Sequence, residues 1–277
     1  MKKTKMFLLL IAFLSAVAIF ASCGGGDGGS AGGAPPGGTA SYTVGGTVSG
    51  LTGTVVLQNN GGNNLTVSAN GPFTFSTALN NSAAYAVTVL TQPTGQTCSV
   101  GNGAGTITAN VTNVTVTCAT NTYTVGGTVS GLTGTVVLQN NGGDNLTLAA
   151  NGPFTFATQV ASGSPYSVTV LTQPTGQTCS VANGTGTITA NVTNVTITCV
   201  TNTYTIGGTV SGLTGTVVLQ NNGSNNLSVS TNDLFTFSTA LNNGATYTVT
   251  VLTQPTGQTC SVGNGTGAVS GADVTNI

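Results

Sequence analysis

Apolar and polar residues alternate along most of this chain with a period of two. Tyr42, Val44 and Val48 are separated by threonine and glycine residues, and Phe73 and Phe75 follow the same period. A period of two places alternate side chains on one face of a β-strand. No later stretch combines an apolar period of about 3.6 residues with good helix formers, because Thr, Val, Asn and Gly dominate. The pattern therefore predicts short β-strands throughout the chain beyond its N-terminal segment.

Turn-forming tripeptides separate the predicted strands. They lie at 59–61, 70–72 and 101–103 and read Asn-Asn-Gly, Asn-Gly-Pro and Gly-Asn-Gly. Asparagine and glycine accept the positive φ angles of tight hairpins, so each tripeptide marks a chain reversal. About seven short strands fit between such signals in each unit of the sequence, and this number is typical of a β-sandwich.

One stretch of the chain, YTVGGTVSGLTGTVVLQNN at 42–60, returns twice. It begins again at Tyr123 and, with Ile206 in place of Val125, at Tyr204. The spacing is 81 residues in both steps (123 − 42 = 81 and 204 − 123 = 81). A repeat of this length indicates tandem domains. The sequence predicts an all-β chain of three tandem β-sandwich domains of about 81 residues, at 42–122, 123–203 and 204–277.

The third repeat is shorter than the other two. The cysteine that would match Cys199 falls just beyond residue 277. We therefore expect the third repeat to be truncated and the sequence to be a fragment of a longer array. An array that ends in an incomplete repeat is the alternative.

The last strand of each repeat changes phase. In the first repeat the apolar residues up to Val111 lie on odd positions, whereas those from Val114 onward lie on even positions. A shift of one residue would turn the second set away from the core. We therefore expect a bulge or bend near Thr112 and Asn113.

The N-terminal segment has the features of an export signal. Three lysines lie within the first five residues, and an apolar run at 6–21 is too short to span a membrane comfortably. The tetrapeptide at 20–23, Phe-Ala-Ser-Cys, resembles a bacterial lipobox, in which the cysteine is lipidated and becomes the mature N-terminus. The resemblance implies a lipoprotein signal peptide at 1–22 and a lipid anchor on Cys23. An ordinary signal peptide followed by a chance cysteine is the alternative.

The segment after Cys23 is predicted to be a flexible tether. It covers 23–41 and consists largely of glycine, which cannot bury a core. Gly24 stands where an aspartate in lipoproteins tends to retain them at the inner membrane. The lipobox resemblance thus implies an exported protein anchored to the outer membrane or the cell surface.

Five of the six cysteines are distributed in register with the repeats. Cys98 and Cys118 lie in the first repeat, Cys179 and Cys199 in the second, and Cys260 in the third. Repeat symmetry favours one disulfide within each of the first two repeats and leaves Cys260 unpaired. Metal ligation and redox chemistry are the alternatives, but both favour closely spaced cysteines or histidines, which the chain lacks. Disulfides require an oxidising compartment, in agreement with export.

The composition argues against most kinds of chemistry. All three lysines precede Cys23, and the chain has no Arg, His, Trp or Glu. Phosphate binding depends on Lys and Arg, so nucleic acid is not an expected partner. General acid–base catalysis and calcium binding require grouped titratable or carboxylate side chains, but the four aspartates are scattered, and Asp144 and Asp273 stand where other repeats have asparagine. We therefore expect no enzymatic activity, cofactor or metal; the aspartates are Asp27, Asp144, Asp233 and Asp273.

A binding surface must come from neutral side chains. The aromatic residues share the inward phase, so we expect them in the core rather than on a sugar-binding platform. The exposed candidate is a pentapeptide loop, Gln-Pro-Thr-Gly-Gln, which recurs unchanged in each repeat, and simple turn chemistry is the alternative explanation of it. The candidate binding residues are Gln92, Thr94 and Gln96, then Gln173, Thr175 and Gln177, and finally Gln254, Thr256 and Gln258.

Four motifs of the first repeat resemble those of bacterial Ig-like repeats. They are GTVSGL at 46–51, VxL at 55–57, NGxFxF at 70–75 and YxVTV at 85–89. The pattern is most similar to the carboxypeptidase-regulatory-like or prealbumin-like kind found in surface and secreted proteins. The resemblance implies three Ig-like β-sandwiches in a non-enzymatic surface lipoprotein that serves as a stalk or interaction array. The alternatives are an adhesin or glycan-binding protein that uses the loop ends, and a spacer for a downstream domain; the partner would be a surface protein or a glycan.

Overall fold

The computed structural model describes residues 39–277, and Ala40–Ile277 form one compact unit. All regular secondary structure in this part of the chain is β. The predicted signal peptide at 1–22, the lipidation site Cys23 and nearly all of the tether lie outside the described residues. Within residues 39–277, the chain forms no helix of the length and hydrophobicity that crossing a membrane requires.

The first repeat is a sandwich of two four-stranded sheets. One sheet has the strand order β5-β2-β10-β8, the other has the order β4-β3-β7-β9, and a short pair joins β1 to β6. β10 runs parallel to β2, and the other neighbouring strands are antiparallel. The strands are β1 (Ser41–Tyr42), β2 (Val44–Ser49), β3 (Val55–Asn59), β4 (Asn63–Val67), β5 (Gly71–Thr74), β6 (Leu79–Asn80), β7 (Ala84–Thr91), β8 (Gln96–Gly101), β9 (Ala104–Thr106) and β10 (Val111–Thr120).

The second repeat has the same topology. Its sheets have the orders β15-β12-β20-β18 and β14-β13-β17-β19, with a short β11–β16 pair. The strands are β11 (Thr122–Tyr123), β12 (Val125–Ser130), β13 (Val136–Asn140), β14 (Asp144–Leu148), β15 (Gly152–Thr155), β16 (Val160–Ala161), β17 (Pro165–Thr172), β18 (Gln177–Ala182), β19 (Thr185–Thr187) and β20 (Val192–Thr201).

The third repeat keeps one complete sheet, of order β24-β23-β27-β28. Its other sheet is reduced to the β22–β25 pair, beside which Ile206 and Val274 form an isolated parallel bridge. The strands are β21 (Thr203–Tyr204), β22 (Gly207–Thr209), β23 (Val217–Asn221), β24 (Asn225–Val229), β25 (Leu234–Thr236), β26 (Leu241–Asn242), β27 (Thr246–Thr253) and β28 (Thr266–Ala268).

Each repeat has its own hydrophobic core between its two sheets. In the first repeat Phe73 and Phe75 are 7% and 1% exposed, and their rings meet edge to face at 5.8 Å between centroids. The corresponding phenylalanines of the other repeats pack in the same way. The prediction that these aromatic residues belong to the core is confirmed.

The predicted irregularity in the last strand is also confirmed. The register of β10 against β2 shifts between Val111 and Val114, and β20 shifts at the equivalent place against β12. The shift turns the apolar residues on both sides of it toward the core, where Val114 and Val116 are fully buried.

Candidate functional site

The loop at 92–96, which we call the joint loop, is closed by its own glutamines. The Oε1 of Gln92 accepts a hydrogen bond from the backbone N–H of Cys98 at 2.7 Å, and its Nε2 donates to the carbonyl of Cys98 at 3.0 Å. Gln173 and Gln254 make the same pair of bonds in the other repeats. The first glutamine of each loop therefore holds the turn against the strand region that follows it.

The second glutamine of the joint loop faces the interior. Gln96 is 5% exposed; its Oε1 accepts from the Thr52 N–H at 2.6 Å, and its Nε2 donates to the Gly50 carbonyl at 2.8 Å. Gln177 is equally buried and bonded. The expectation that the whole loop is exposed was wrong at these two glutamines, because their amide groups satisfy buried backbone atoms. It was also wrong at the loop prolines, which are buried: Pro93, Pro174 and Pro255.

The remaining candidate positions are on the surface or half-buried. The threonines Thr94, Thr175 and Thr256 are exposed, as are Gln92, Gln173 and Gln254. Gln258 of the third repeat is half-buried and keeps the two backbone bonds that Gln96 makes. The loop thus offers few free polar groups to a ligand.

The joint loop connects successive repeats. The carbonyl of Gly95 accepts from the backbone N–H of Asn121 at 2.9 Å, and the carbonyl of Asn121 accepts from the N–H of Ser162 at 2.8 Å. The hydroxyl of Thr97 donates to the Oδ1 of Asn121 at 2.8 Å. Asn121 therefore bonds simultaneously to the loop of the first repeat and to a turn of the second.

The second joint repeats the first almost atom for atom. Asn202 donates from its backbone N–H to the Gly176 carbonyl at 2.9 Å, and its own carbonyl accepts from Asn243 at 2.8 Å. The Asn202 side chain accepts from the hydroxyl of Thr178 at 2.7 Å. Two consecutive boundaries between repeats thus use one set of contacts.

A glycine with positive φ lies at the point of contact in both joints. Gly95 has φ +74°, and a Cβ there would lie 2.6 Å from the Oγ of Ser162. A Cβ at Gly176 would lie 1.9 Å from the Nδ2 of Asn243. Gly257 has the same φ, +74°, but no neighbour within 4 Å of such a Cβ. Sequence reasoning attributed this glycine to the turn alone and did not find the joint.

A second recurring surface lies beside the β13–β14 hairpin, and we call it the asparagine groove. In the second repeat it is lined by Asn140, Asn141, Asp144 and Thr158, among others, and encloses about 600 Å³. The equivalent groove of the third repeat encloses about 240 Å³. Asn141 has φ 50°, and its Nδ2 donates to the Pro165 carbonyl at 3.1 Å, so part of the groove is structural. Sequence analysis treated these asparagines only as turn residues.

One position in the groove differs between repeats. Asn63 and Asn225 each have a buried Nδ2 with no hydrogen-bond acceptor in residues 39–277. The second repeat has Asp144 at this position, and its Oδ2 accepts from the backbone N–H of Thr158 at 2.9 Å. A buried donor without an acceptor costs about 1–3 kcal/mol, so an acceptor such as Asp144 fits this position better than a donor does.

The three aspartates within residues 39–277 act as acceptors for backbone N–H groups. The Oδ1 of Asp273 accepts from Thr205 at 2.7 Å, as the Oδ1 of Asn191 accepts from Thr124 at 3.0 Å. Asp273 therefore fills an asparagine position, in agreement with the alignment of the repeats. No group of three or more His, Cys, Asp or Glu residues placed to hold a metal ion occurs in residues 39–277.

The cysteines pair within repeats in the structure. Disulfides join Cys98 to Cys118 and Cys179 to Cys199, each across the antiparallel pair formed by the last strand and its neighbour. Cys260 is a half-buried free thiol within the described part of the chain. The disulfides therefore link the edge strand β8 to β10 in the first repeat and the edge strand β18 to β20 in the second.

No protein-family model matches the chain, and no curated protein matches its sequence. Among solved structures, the TIE protein of Bacillus anthracis superposes with a TM-score of 0.53 at 11% identity, over 85% of this chain and 50% of that chain. Two B repeat units of the collagen binding protein of Staphylococcus aureus give a TM-score of 0.27 at 19% identity, over 85% of this chain and 74% of theirs. The major pilin subunit of Bacillus cereus gives a TM-score of 0.32 at 10% identity, over 85% of this chain and 99% of that chain.

The comparison with the Bacillus anthracis protein bears on fold alone, and this chain spans half the length of that protein. Together with the sheet orders of the repeats, it confirms the predicted fold class: an all-β chain of tandem Ig-like β-sandwich domains.

Proposed function

We propose that this chain is a non-enzymatic cell-surface lipoprotein in which Ig-like domains form a stalk or interaction array. The observation that carries the proposal is the joint at Asn121, repeated at Asn202. Domains on a flexible linker need no shared contacts, whereas a residue that is hydrogen-bonded to both neighbouring domains at each boundary restrains their relative orientation. A fixed orientation is what a stalk requires in order to hold a binding surface away from a membrane.

The anchor of the proposed stalk is Cys23. The lysines, the apolar run and the Phe-Ala-Ser-Cys tetrapeptide at 20–23 support export and lipidation. A glycine-rich tether then separates the anchor from the first domain. The absence of Lys, Arg, His and Glu beyond Cys23 supports a role without acid–base chemistry.

The stalk proposal is tested by measuring the distance between the first two repeats. Spin labels at the exposed Thr88 and Thr169 report that distance by electron–electron dipolar spectroscopy, in a chain with Cys23 and Cys260 replaced by serine. A narrow distribution is expected, and a broad one in the unmutated joint would refute the fixed orientation. Gly95→Ala should broaden the distribution, because its Cβ meets Ser162.

Two controls separate the joint from local strain. Gly257→Ala introduces the same unfavourable φ of +74° where nothing lies within 4 Å, so the distribution between repeats 1 and 2 should stay narrow. Gly95→Ala combined with Ser162→Gly removes the atoms that the new Cβ would meet, and the narrow distribution should return.

A second candidate function is the binding of neutral glycans at the asparagine groove. The neutral amide side chains that line the groove favour it, because amides can both donate to and accept from sugar hydroxyls. The second repeat differs at one position of this surface, where the charged Asp144 replaces the neutral amides of Asn63 and Asn225.

An array of neutral glycans tests this candidate with exchanged residues. Asn63→Asp and Asn225→Asp together should abolish binding, and Asp144→Asn should add a third site and increase it. Binding that is the same in all of these variants would refute a role of the groove. Failure of the groove would leave the stalk proposal intact, since the two rest on different residues.

A further inference from the structure

One tripeptide of the sequence places an asparagine and a hydroxyl side chain two residues apart on a β-strand. In the first repeat it is Asn64-Leu65-Thr66 in β4, and the equivalent tripeptides lie at 145–147 in β14 and at 226–228 in β24. The pattern Asn-X-Ser/Thr, in which X is not proline, is the acceptor sequence for N-linked oligosaccharides. All three repeats therefore present this pattern at the same place in the fold.

The strand exposes both groups that define the pattern. Asn64 and Thr66 are exposed on the outer face of the sheet, whereas Leu65 between them packs against the core. The tripeptides of the second and third repeats show the same alternation of exposed and half-buried residues. An enzyme can therefore reach the amide and the hydroxyl together without first opening the sheet.

The side-chain amide of each tripeptide is held in place by its oxygen. The Oδ1 of Asn64 accepts a hydrogen bond of 2.8 Å from the Nε2 of Gln58, which lies opposite it on β3. The asparagines of the other two repeats accept the same bond at 2.7 Å. An N-linked oligosaccharide is attached to the amide nitrogen, so the bond to the oxygen can persist after modification.

Other Asn-X-Ser/Thr patterns occur within residues 39–277, but each lacks a part of this arrangement. At Asn183 and Asn264 the Nδ2 atom donates to a backbone carbonyl. The pattern at Asn113 lies in β10, which has neighbouring strands on both sides. Those at Asn80 and Asn110 have no counterpart in the third repeat. The tripeptide of β4 thus combines recurrence in all three repeats with an amide held by its oxygen.

The strands that carry the tripeptide, β4, β14 and β24, are edge strands. One side of an edge strand presents unpaired backbone N–H and C=O groups to which another chain can pair, and natural proteins often block it with lysine, other charges or proline. These three strands read NNLTV, DNLTL and NNLSV, with Asp144 as their single charged residue. Their own side chains therefore give the edge little protection, whereas a hydrated oligosaccharide covers it.

We propose that the edge strands of the three repeats carry N-linked oligosaccharides, attached to Asn64, Asn145 and Asn226. The oligosaccharides shield the strand edges from pairing with other chains. This inference rests on the proposed export of the chain, because Asn-X-Ser/Thr patterns are modified in exported proteins. The donor is an oligosaccharide linked through pyrophosphate to a polyprenyl lipid, and the catalyst is a membrane oligosaccharyltransferase.

The transfer forms one bond and breaks one. The Nδ2 of the asparagine attacks the anomeric carbon of the first sugar, and the bond from that carbon to the pyrophosphate oxygen breaks. The lipid pyrophosphate leaves with the electron pair of this bond, and one proton of Nδ2 passes to a base of the transferase. No group is oxidised or reduced, and the amide oxygen remains free to accept its hydrogen bond.

Transfer to the folded full chain in vitro tests the three positions. The chain, with Cys23→Ser, is incubated with the lipid-linked donor and a purified oligosaccharyltransferase that accepts any Asn-X-Ser/Thr pattern. Enzymatic release of the glycans in heavy-oxygen water then marks each modified asparagine for mass spectrometry. Three glycans per chain are expected, at Asn64, Asn145 and Asn226. If these positions stay unmodified while a short acceptor peptide in the same mixture is modified, the proposal is overturned.

Substitutions in β4 separate the pattern from the mere exposure of an asparagine. Asn64→Gln and Thr66→Val should each reduce the number of glycans from three to two, because the first removes the nucleophile and the second removes the hydroxyl. Thr66→Ser should keep all three, since serine stands at this position in the third repeat. Asn183→Gln is the control outside the edge strands and should also keep three. Three glycans on Thr66→Val would refute recognition of the pattern at Asn64.

Isolated peptides show whether the fold selects among the patterns. Synthetic peptides with the sequences 62–68, 111–117 and 181–187 should accept the oligosaccharide at similar rates. In the folded chain Asn64 should be modified at least about tenfold faster than Asn113 or Asn183, because patterns inside a sheet or with a bonded amide nitrogen react only after local opening. Equal rates at the three positions of the folded chain would refute a special role of the edge strand.

The protection of the edges is tested by self-association. The glycosylated chain should sediment as a monomer, whereas the same chain without glycans should form concentration-dependent oligomers through its edge strands. The triple variant Asn64→Gln, Asn145→Gln and Asn226→Gln should associate in the same way even after treatment with the transferase. Equal monomer fractions with and without glycans would refute the shielding of the edges.

The chain isolated from cells distinguishes this inference from the export on which it rests. Cells that contain the same transferase and donor produce the chain, and digestion of intact cells with a protease identifies the fraction on their surface. Surface-exposed chain without glycans at the three asparagines would refute the inference and leave the proposed export intact. Chain that the protease reaches only after lysis would refute export, and with it modification in the cell.

Discussion

The backbone N–H of Asn121 donates a hydrogen bond of 2.9 Å to the carbonyl of Gly95, and this bond joins the first repeat to the second. The same bond joins Asn202 to Gly176 at the next boundary. The residues of the pentapeptide loop close a turn and fill a buried or half-buried position in all three repeats, and in the first two they also contact the following repeat. The sequence of this loop can therefore be explained by its structural contacts, without a bound ligand.

Replacement of the buried glutamine should destabilise the repeat that contains it. Gln96→Ala leaves the Thr52 N–H and the Gly50 carbonyl without their partners. An unsatisfied buried polar group costs about 1–3 kcal/mol, so the free energy of unfolding should fall by at least that amount. Denaturant titration measures the change, with the exposed Thr94→Ala as the control. A loss no larger than that of the control would show that Gln96 is not a structural link.

Truncation of a core aromatic should unfold its repeat selectively. Phe73→Ala removes a ring that packs edge to face with Phe75, and such a change costs about 3–5 kcal/mol. In the full chain, hydrogen exchange should accelerate throughout the first repeat and much less in the third. Leu234→Ala is the control, since Leu234 is 75% exposed and should have little effect. If the rate of hydrogen exchange in the first repeat did not change, Phe73 would not be a core residue, and a role in binding would be favoured.

The sequence predicted the parts of the structure that depend on local pattern. Alternation of apolar residues identified the sandwich and the phenylalanine core, and the phase change near Thr112 identified the bulge in β10. It failed at Gln96, because glutamine in a polar pentapeptide has no local sign of burial. Contacts across a boundary between repeats are equally invisible in the local sequence. Gly95, for example, lies against Ser162, which is 67 residues away along the chain (162 − 95 = 67).

The cysteines provide a direct test of the modular arrangement. Peptide mapping without reduction should find the bonds Cys98–Cys118 and Cys179–Cys199 and an unmodified Cys260. Closing a loop of about twenty residues contributes on the order of 3 kcal/mol, so Cys98→Ala with Cys118→Ala should destabilise the first repeat by a similar amount. Cys260→Ala should leave the stability almost unchanged. A bond between repeats, such as Cys118–Cys179, would contradict independent domains.

Membrane attachment is predicted to depend on Cys23. In cells fed a fatty-acid analogue, the unmutated chain should be labelled and should fractionate with membranes, whereas Cys23→Ser should lose the label. Cys260→Ser is the matched control, because it also removes one unpaired cysteine but leaves the lipobox-like segment intact. Equal labelling of the chain and of Cys23→Ser would exclude lipidation at this residue.

Binding of any partner to the array should be nearly independent of salt. The chain beyond Cys23 has no Lys, Arg or His, and Asp144 and Asp273 bond to backbone N–H groups. Recognition must therefore rely on neutral hydrogen bonds, apolar contacts and backbone pairing. Such contacts release no condensed counterions, unlike those of a polycation. Affinity for a cell or glycan surface should therefore change little from low to about physiological ionic strength, and a steep decline would contradict recognition by neutral contacts.

Affinity should also grow with the number of repeats when the partner is itself repetitive. Because each repeat presents nearly the same surface, a second repeat binds at the high local concentration that binding of the first repeat sets. Joints that restrain the repeats also reduce the conformational entropy that is lost on multivalent binding. Chains with one, two and three repeats, compared on the same surface, measure this gain. Gly95→Ala with Gly176→Ala should reduce the gain of the three-repeat chain without affecting a single repeat, because both changes act at the joints. Equal affinity for one and three repeats would refute multivalent binding, and the spacer interpretation would be favoured if no chain bound at all.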